Sequence, residues 1–194
     1  MLAAVILSGG ASRRMGSPKA LLPYQGKPFL EHLLKVTRHP KIGVRRVVLG
    51  AHAGPIAEAI ALNPDEVVVN ADWEKGQLSS IQAALRSLPE GTHGMLLCLV
   101  DHPLISPMLV NGLVEQFYAT QAAVVLPVFE GRRGHPVIFS ARLYEELEKA
   151  PQALGARSVV WAHNDEVSEY LTAEEGCVVN LNDPDTFSRL SRAL

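Results

Sequence analysis

The chain has 194 residues, 47% hydrophobic and 20% charged, enough for a single domain that buries its own core and too apolar for disorder. Its formal net charge of −2 gives no basic field for nucleic acid and no polybasic anchor for a membrane surface, so an anionic ligand needs a local site. Cys98 and Cys177 lie far apart with no CxxC spacing and no matching Cys/His cluster, which argues against zinc and a disulfide framework and fits a reducing cytoplasm.

In chain order, residues 2–7 form an apolar run too short to span a membrane and without the basic region of a signal peptide, so a first buried strand is expected over 3–7. Pro28 suits a first helical turn, and a helix is expected from there through Glu31, Leu33, Leu34 and Val36. Strands at 46–49, 67–69 and 95–100 then alternate with helices over 56–62, 80–88 and 107–118. A strand at 124–127 follows, with 137–139 as an antiparallel strand inserted late in the order, and helices over 143–149 and 185–194. The strands are β-branched and nearly non-alternating, as a parallel sheet covered on both faces requires. The fold expected is therefore an α/β sandwich, residues 1–194 forming one domain without repeats, low-complexity tracts or linkers. Pro89-Glu90-Gly91 and residues 130–134 mark exposed turns.

The strongest chemical signal is Leu7-Ser8-Gly9-Gly10-Ala11-Ser12-Arg13-Arg14-Met15-Gly16-Ser17-Pro18-Lys19, directly after the first strand. Ligands of open α/β sheets bind at strand C-termini. Glycines let successive N–H groups approach an anion, and Arg13, Arg14 and Lys19 add the charge a bare peptide nest lacks, a combination suited to a triphosphate. The segment is neither GxxxxGK[ST] nor GxGxxG, and a charged, solvated β-to-α turn is the plainer alternative.

Val100-Asp101-His102-Pro103 ends an apolar strand in a carboxylate, where Asp101 either holds Mg²⁺ or caps the helix beginning near Ser106. Asn180-Leu181-Asn182-Asp183-Pro184-Asp185 offers a further oxygen ligand, and equally a helix start with Asp183 as N-cap. Gly76-Gln77-Leu78-Ser79-Ser80 suits either a base or ribose contact through Gln77 and Ser80 or a plain N-cap. Arg132, Arg133 and His135 in Gly131-Arg132-Arg133-Gly134-His135-Pro136 grip an anionic acceptor or form a solvated hairpin tip. His32, His39, His52, His93 and His163 have no partner at triad or metal spacing, and Cys98, Trp73 and Trp161 read as packing residues.

Together the N-terminal loop, Gly76-Gln77-Leu78-Ser79-Ser80, Val100-Asp101-His102-Pro103 and Gly134-His135-Pro136-Val137 resemble the molybdenum-cofactor nucleotidyltransferases, the MobA-like NTP transferases. The resemblance runs in order across nearly the whole chain and implies a three-layer, Rossmann-like sandwich with a mainly parallel sheet. It implies that Leu7, Ser8, Gly9, Gly10, Ser12, Arg13, Arg14, Lys19, Gln77 and Ser80 bind the NTP. Arg14, Lys19 and Asp101 would be catalytic, Asp101 and Asn182 (Asn180 second) would hold Mg²⁺, and His102, Arg133 and His135 would bind the acceptor. The acceptor implied is a small phosphorylated molecule of the molybdopterin type, attacking the α-phosphorus in line and releasing pyrophosphate. A molybdoenzyme or its chaperone is the protein partner to be expected.

Leu7-Ser8-Gly9-Gly10 looks closer to the guanylyl branch, whereas Gly134-His135-Pro136 points to the cytidylyl branch; the later segment is the rarer, so CTP is expected, with GTP as the alternative. Rival readings are a sugar- or alcohol-phosphate nucleotidyltransferase and a non-catalytic nucleotide-binding regulator or cofactor chaperone.

Overall fold

The computed structural model describes residues 1–12 and 15–182; Arg13, Arg14, Asp183 and the helix expected over 185–194 lie outside the described residues. Strand β1 (Leu2–Ser8) is buried along its whole length, as its unbroken apolar sequence requires. A short hairpin, β2 (Pro23–Tyr24) and β3 (Lys27–Pro28), leads to helix α1 (Phe29–Val36), and Pro28 stands just before the helix rather than inside its first turn. Phe29, Leu30, Leu33 and Val36 form the buried stripe of α1. Next come β4 (Ile42–Leu49), α2 (Ala53–Ala59), β5 (Val67–Val69), α3 (Gln77–Leu85), β6 (Gly94–Leu99) and α4 (Pro107–Thr120). The chain continues through β7 (Val124–Phe129), β8 (Arg132–Arg133), β9 (Val137–Ser140), α5 (Tyr144–Lys149), α6 (Arg157–Ala162) and β10 (Val167–Leu171).

Two helices begin three residues earlier than their apolar patterns indicate, because turns start them. Ala53 N–H bonds the Gly50 carbonyl at 3.1 Å, and Pro55 falls in the first turn of α2, where its missing N–H costs nothing. Helix α3 is entered through Gly76, the residue before its first turn, whose φ of 103° favours glycine. Ser106, not Asp101, caps α4: its side chain accepts from Leu109 N–H at 3.1 Å.

Among the described residues the main sheet runs β10-β7-β9-β6-β1-β4-β5, with β8 paired to β7. Neighbours are parallel except that β9 is antiparallel to both β6 and β7 and β8 is antiparallel to β7. Alternate residues of the strands feed two cores. Leu2, Ile6, Val47, Leu49, Leu96 and Cys98 pack with α1, α2 and α4; Val5, Leu7, Val48, Met95 and Leu97 pack with α3, α5 and α6. The result is the expected three-layer sandwich. No helix among the described residues is long and apolar enough to cross a membrane.

This topology positions the chemistry. From β1 the chain moves to β4 on one side, and after β5 it returns to β6 on the other, so the crevice beyond the C-terminal ends of β1 and β6 is the switch point where such sheets bind ligands. Because β9 is antiparallel, Val137 at its start pairs with Leu97 near the end of β6, and Gly134-His135-Pro136 is delivered to the same edge as Asp101.

Candidate active site at the sheet edge

The loop after β1 is held from below. Gly9 carbonyl accepts from Ala51 N–H at 3.1 Å, and a ring nitrogen of His52 bonds the Ala11 carbonyl at 2.9 Å. A Cβ on Gly50 would lie 2.4 Å from Gly9 O and 2.7 Å from Trp73 Cβ, so only glycine lets the two loops approach this closely. Ser12, with φ 50°, accepts Lys19 N–H on its Oγ at 3.2 Å and closes the loop so that Lys19 returns to the strand end.

Leu7, Ser8, Gly9, Gly10, Ser12, Lys19, Gln77, Ser80 and Asp101 all line one cleft of ≈ 270 Å³, with Trp73 among its walls. Every described residue assigned to the nucleotide from sequence is therefore brought together. Asn70, which sequence reasoning missed, is buried and donates to Ser79 Oγ at 2.9 Å and Ser80 Oγ at 3.0 Å, fixing the start of α3 against the cleft. His52 was likewise given no role, and Trp73 borders the cleft instead of serving only as packing. A polar side chain whose partner lies elsewhere in the sequence, as His52 with the Ala11 carbonyl or Asn70 with Ser79 and Ser80, leaves no local pattern by which to find it.

Asp101 and Asn182 meet at Lys19. The Lys19 ammonium lies 3.5 Å from Asp101 Oδ2 and also bonds Asn182 Oδ1. Asn182 arrives on a strap: the Cys177 carbonyl accepts His135 N–H at 2.7 Å, and Leu181 N–H donates to the Asp101 carbonyl at 2.8 Å. Gly134 is required beneath this strap, since a Cβ there would lie 2.4 Å from Cys177 O. Two oxygens converging on one cation form a donor set that fits Mg²⁺, which takes few protein oxygens and completes its shell with water and phosphate.

The rings of His102 and His135 lie 5.0 Å apart between centroids, tilted by 54°, and each has a buried Nδ1 without a hydrogen-bond partner among the described residues. Burial is the main cause that lowers both: His102 is pushed below its usual range against the opposing pull of Asp101, and His135 falls to about 4, helped by His102. The pair is neutral at pH 7 and offers hydrogen bonds rather than charge. His135, Arg133 and Gln77 line a second cavity of ≈ 480 Å³, and Gln77 is common to both spaces. Arg133 is already engaged, by Glu169 at 2.7 Å and Asn164 at 2.9 Å. Trp161, expected to be a packing residue, is 59% exposed at the mouth of that second cavity.

A glycine-rich loop at the switch point of a mainly parallel sheet, with a lysine and a carboxylate at its mouth, defines an α/β protein built to hold a phosphorylated nucleotide. The chain belongs to the MobA-like NTP transferase domain family, which it matches over residues 4–167. It is 34% identical to nicotine blue oxidoreductase of Paenarthrobacter nicotinovorans over 72% of this chain and 71% of that protein. It is 33% identical to a probable molybdenum cofactor guanylyltransferase of Mycobacterium avium over 81% of this chain and 78% of that one. Among solved structures, Rv0371C of Mycobacterium tuberculosis in complex with manganese superposes with a TM-score of 0.79 at 27% identity, covering 100% of this chain and 99% of that one. The expectation of CTP finds no support in these names; the family's transferases among them are guanylyltransferases.

Proposed function

We propose that this chain is a Mg²⁺-dependent guanylyltransferase of the cytoplasm, joining the GMP moiety of GTP to the phosphate of a molybdopterin-type acceptor. An acceptor phosphate oxygen bonds to the α-phosphorus as the bond from that phosphorus to the bridging oxygen breaks, and pyrophosphate leaves. The observation that carries this reading is the convergence of Lys19, Asp101 and Asn182, with Lys19 and Asp101 in the wall of the loop cleft.

The protein supplies no nucleophile. Backbone N–H groups from Gly9 to Ser12 and the Lys19 ammonium bind the β- and γ-phosphates and take up charge as the leaving group departs. Gln77 and Ser80 orient the nucleoside, and neutral His135, with His102 packed against it, donates a hydrogen bond to the acceptor. Asp101 and Asn182 would hold the divalent ion, which when bound neutralises phosphate charge. Arg13 and Arg14, adjoining the same loop in sequence, add cations for the triphosphate.

The test is pyrophosphate release from GTP, CTP, ATP and UTP with Mg²⁺, with and without molybdopterin. Acceptor-dependent release from GTP is expected. Release from CTP alone would replace GTP as the donor, and no release from any NTP despite bound nucleotide would favour a non-catalytic nucleotide-binding regulator.

A further inference from the structure

Large apolar side chains exposed beside a cavity mark a surface that awaits a ligand more often than isolated exposed ones do. Leu154, 45% exposed, and Trp161, 59% exposed, both border the ≈ 480 Å³ cavity. Its inner wall is apolar, formed by Leu78, Leu97, Val137 and Phe139. The volume falls in the range of small-molecule sites, about 300–1,000 Å³. Gln77 lines both this cavity and the nucleotide cleft, so the two spaces are neighbours.

The two arginines that line the cavity differ. Arg133 is neutralised by Glu169. Arg157 has no carboxylate partner among the described residues, and its guanidinium lies 6.0 Å over the Trp161 ring. A cation held over an indole remains available to an anion while the other parts of the ring stay open to stacking.

We propose that Trp161 and Leu154 form the face on which a flat heteroaromatic ring of the acceptor stacks, and that Arg157, not Arg133, meets an anionic substituent of that ring. The occupant is called the acceptor on the strength of the nucleotidyl-transfer reading. The site itself rests only on the cavity, the exposed indole and a guanidinium without a carboxylate partner among the described residues. These residues are specificity determinants: they choose a planar, anionic acceptor and take no part in bond making.

The experiment is titration calorimetry on the full chain with pterin-6-carboxylate and uncharged pterin as probes. Trp161 is exposed, so its replacement leaves the core intact. Trp161→Ala is expected to weaken both probes at least about 5-fold, with Trp161→Phe within about 2-fold of the unaltered chain. Arg157→Gln is expected to weaken pterin-6-carboxylate about 5-fold and leave uncharged pterin unchanged, while Arg133→Gln changes neither. GTP affinity stays the same in all four variants. No pterin binding by the unaltered chain, or unchanged binding by Trp161→Ala, overturns the stacking face; equal loss of both probes in Arg157→Gln overturns the anion contact. Because binding is read without turnover, pterin binding lost in Trp161→Ala from a chain that releases no pyrophosphate would sustain this site and sink the transfer reading alone.

Discussion

In the proposed reaction Asp101 and Lys19 would meet the same phosphates with different tasks, and their substitutions should differ accordingly. Asp101→Ala is expected to lower kcat by about 10²-fold or more and leave the GTP dissociation constant within about 3-fold, because its contribution is largest where charge develops. Lys19→Ala should raise KM for GTP and lower kcat together, since the ammonium meets the nucleotide before and during transfer. Steady-state pyrophosphate release with calorimetric GTP binding reads both. Cys98 has its thiol pushed up to about 12 by complete burial, so it should resist thiol reagents in the native chain and react only on unfolding. Lys19 and Asp101 were legible because each sits in a short motif at a strand end. The 180–185 turn reads as an oxygen donor, but the choice of Asn182 within it came from resemblance; its position depends on a strap tied to Asp101 by the Leu181 N–H, a contact across 80 residues of sequence. Trp161 read as core because an isolated tryptophan in an apolar pair, Val159-Val160, gives no sign of which face it occupies.

The elements that shape the site are turns as much as strands. Gly50→Ala would force a Cβ to 2.4 Å from Gly9 O, so the loop must shift. The expected cost is about 1–3 kcal/mol of stability with weaker GTP binding, checked by urea unfolding and calorimetry. Ser106→Ala removes the cap of α4 and should cost about 1 kcal/mol while leaving GTP binding unchanged. The buried strands and the longer helices were legible, including the antiparallel strand at 137–139, because continuous apolar runs and 3.6-residue stripes survive in the sequence. Strand β10 was not: at the sheet edge its Ser168 and Glu169 break the apolar run. Helix α6 is too short and too exposed to show a stripe, and the early starts of α2 and α3 depend on Gly50 and Gly76, which end the preceding segments as plausibly as they begin helices.

At the scale of the whole molecule, the antiparallel strand β9 in a mainly parallel sheet brings the His135 segment to the Asp101 edge and leaves two neutral histidines packed beside it. His135 is held at about 4 against an ordinary 6.5, so between these values the unfolded chain binds a proton that the native one refuses. Its contribution to stability is fully present above pH 6.5 and is lost as pH falls toward 4; His102 is lowered too and acts in the same direction. His163 is raised by Glu166 and Glu146, which gives the opposite sign, but its ion pairs are exposed and weak. Urea midpoints should therefore fall from pH 7 to pH 5, and His135→Gln should flatten that slope. Transfer of the nucleotide's α-phosphorus in the cleft is tested most directly by single-turnover reaction of GTP labelled at that phosphorus with molybdopterin. The label is expected to appear in the acceptor with the unaltered chain and to remain in GTP with Asp101→Ala. Label retained in GTP by the unaltered chain, or transferred equally well by Asp101→Ala, would contradict it.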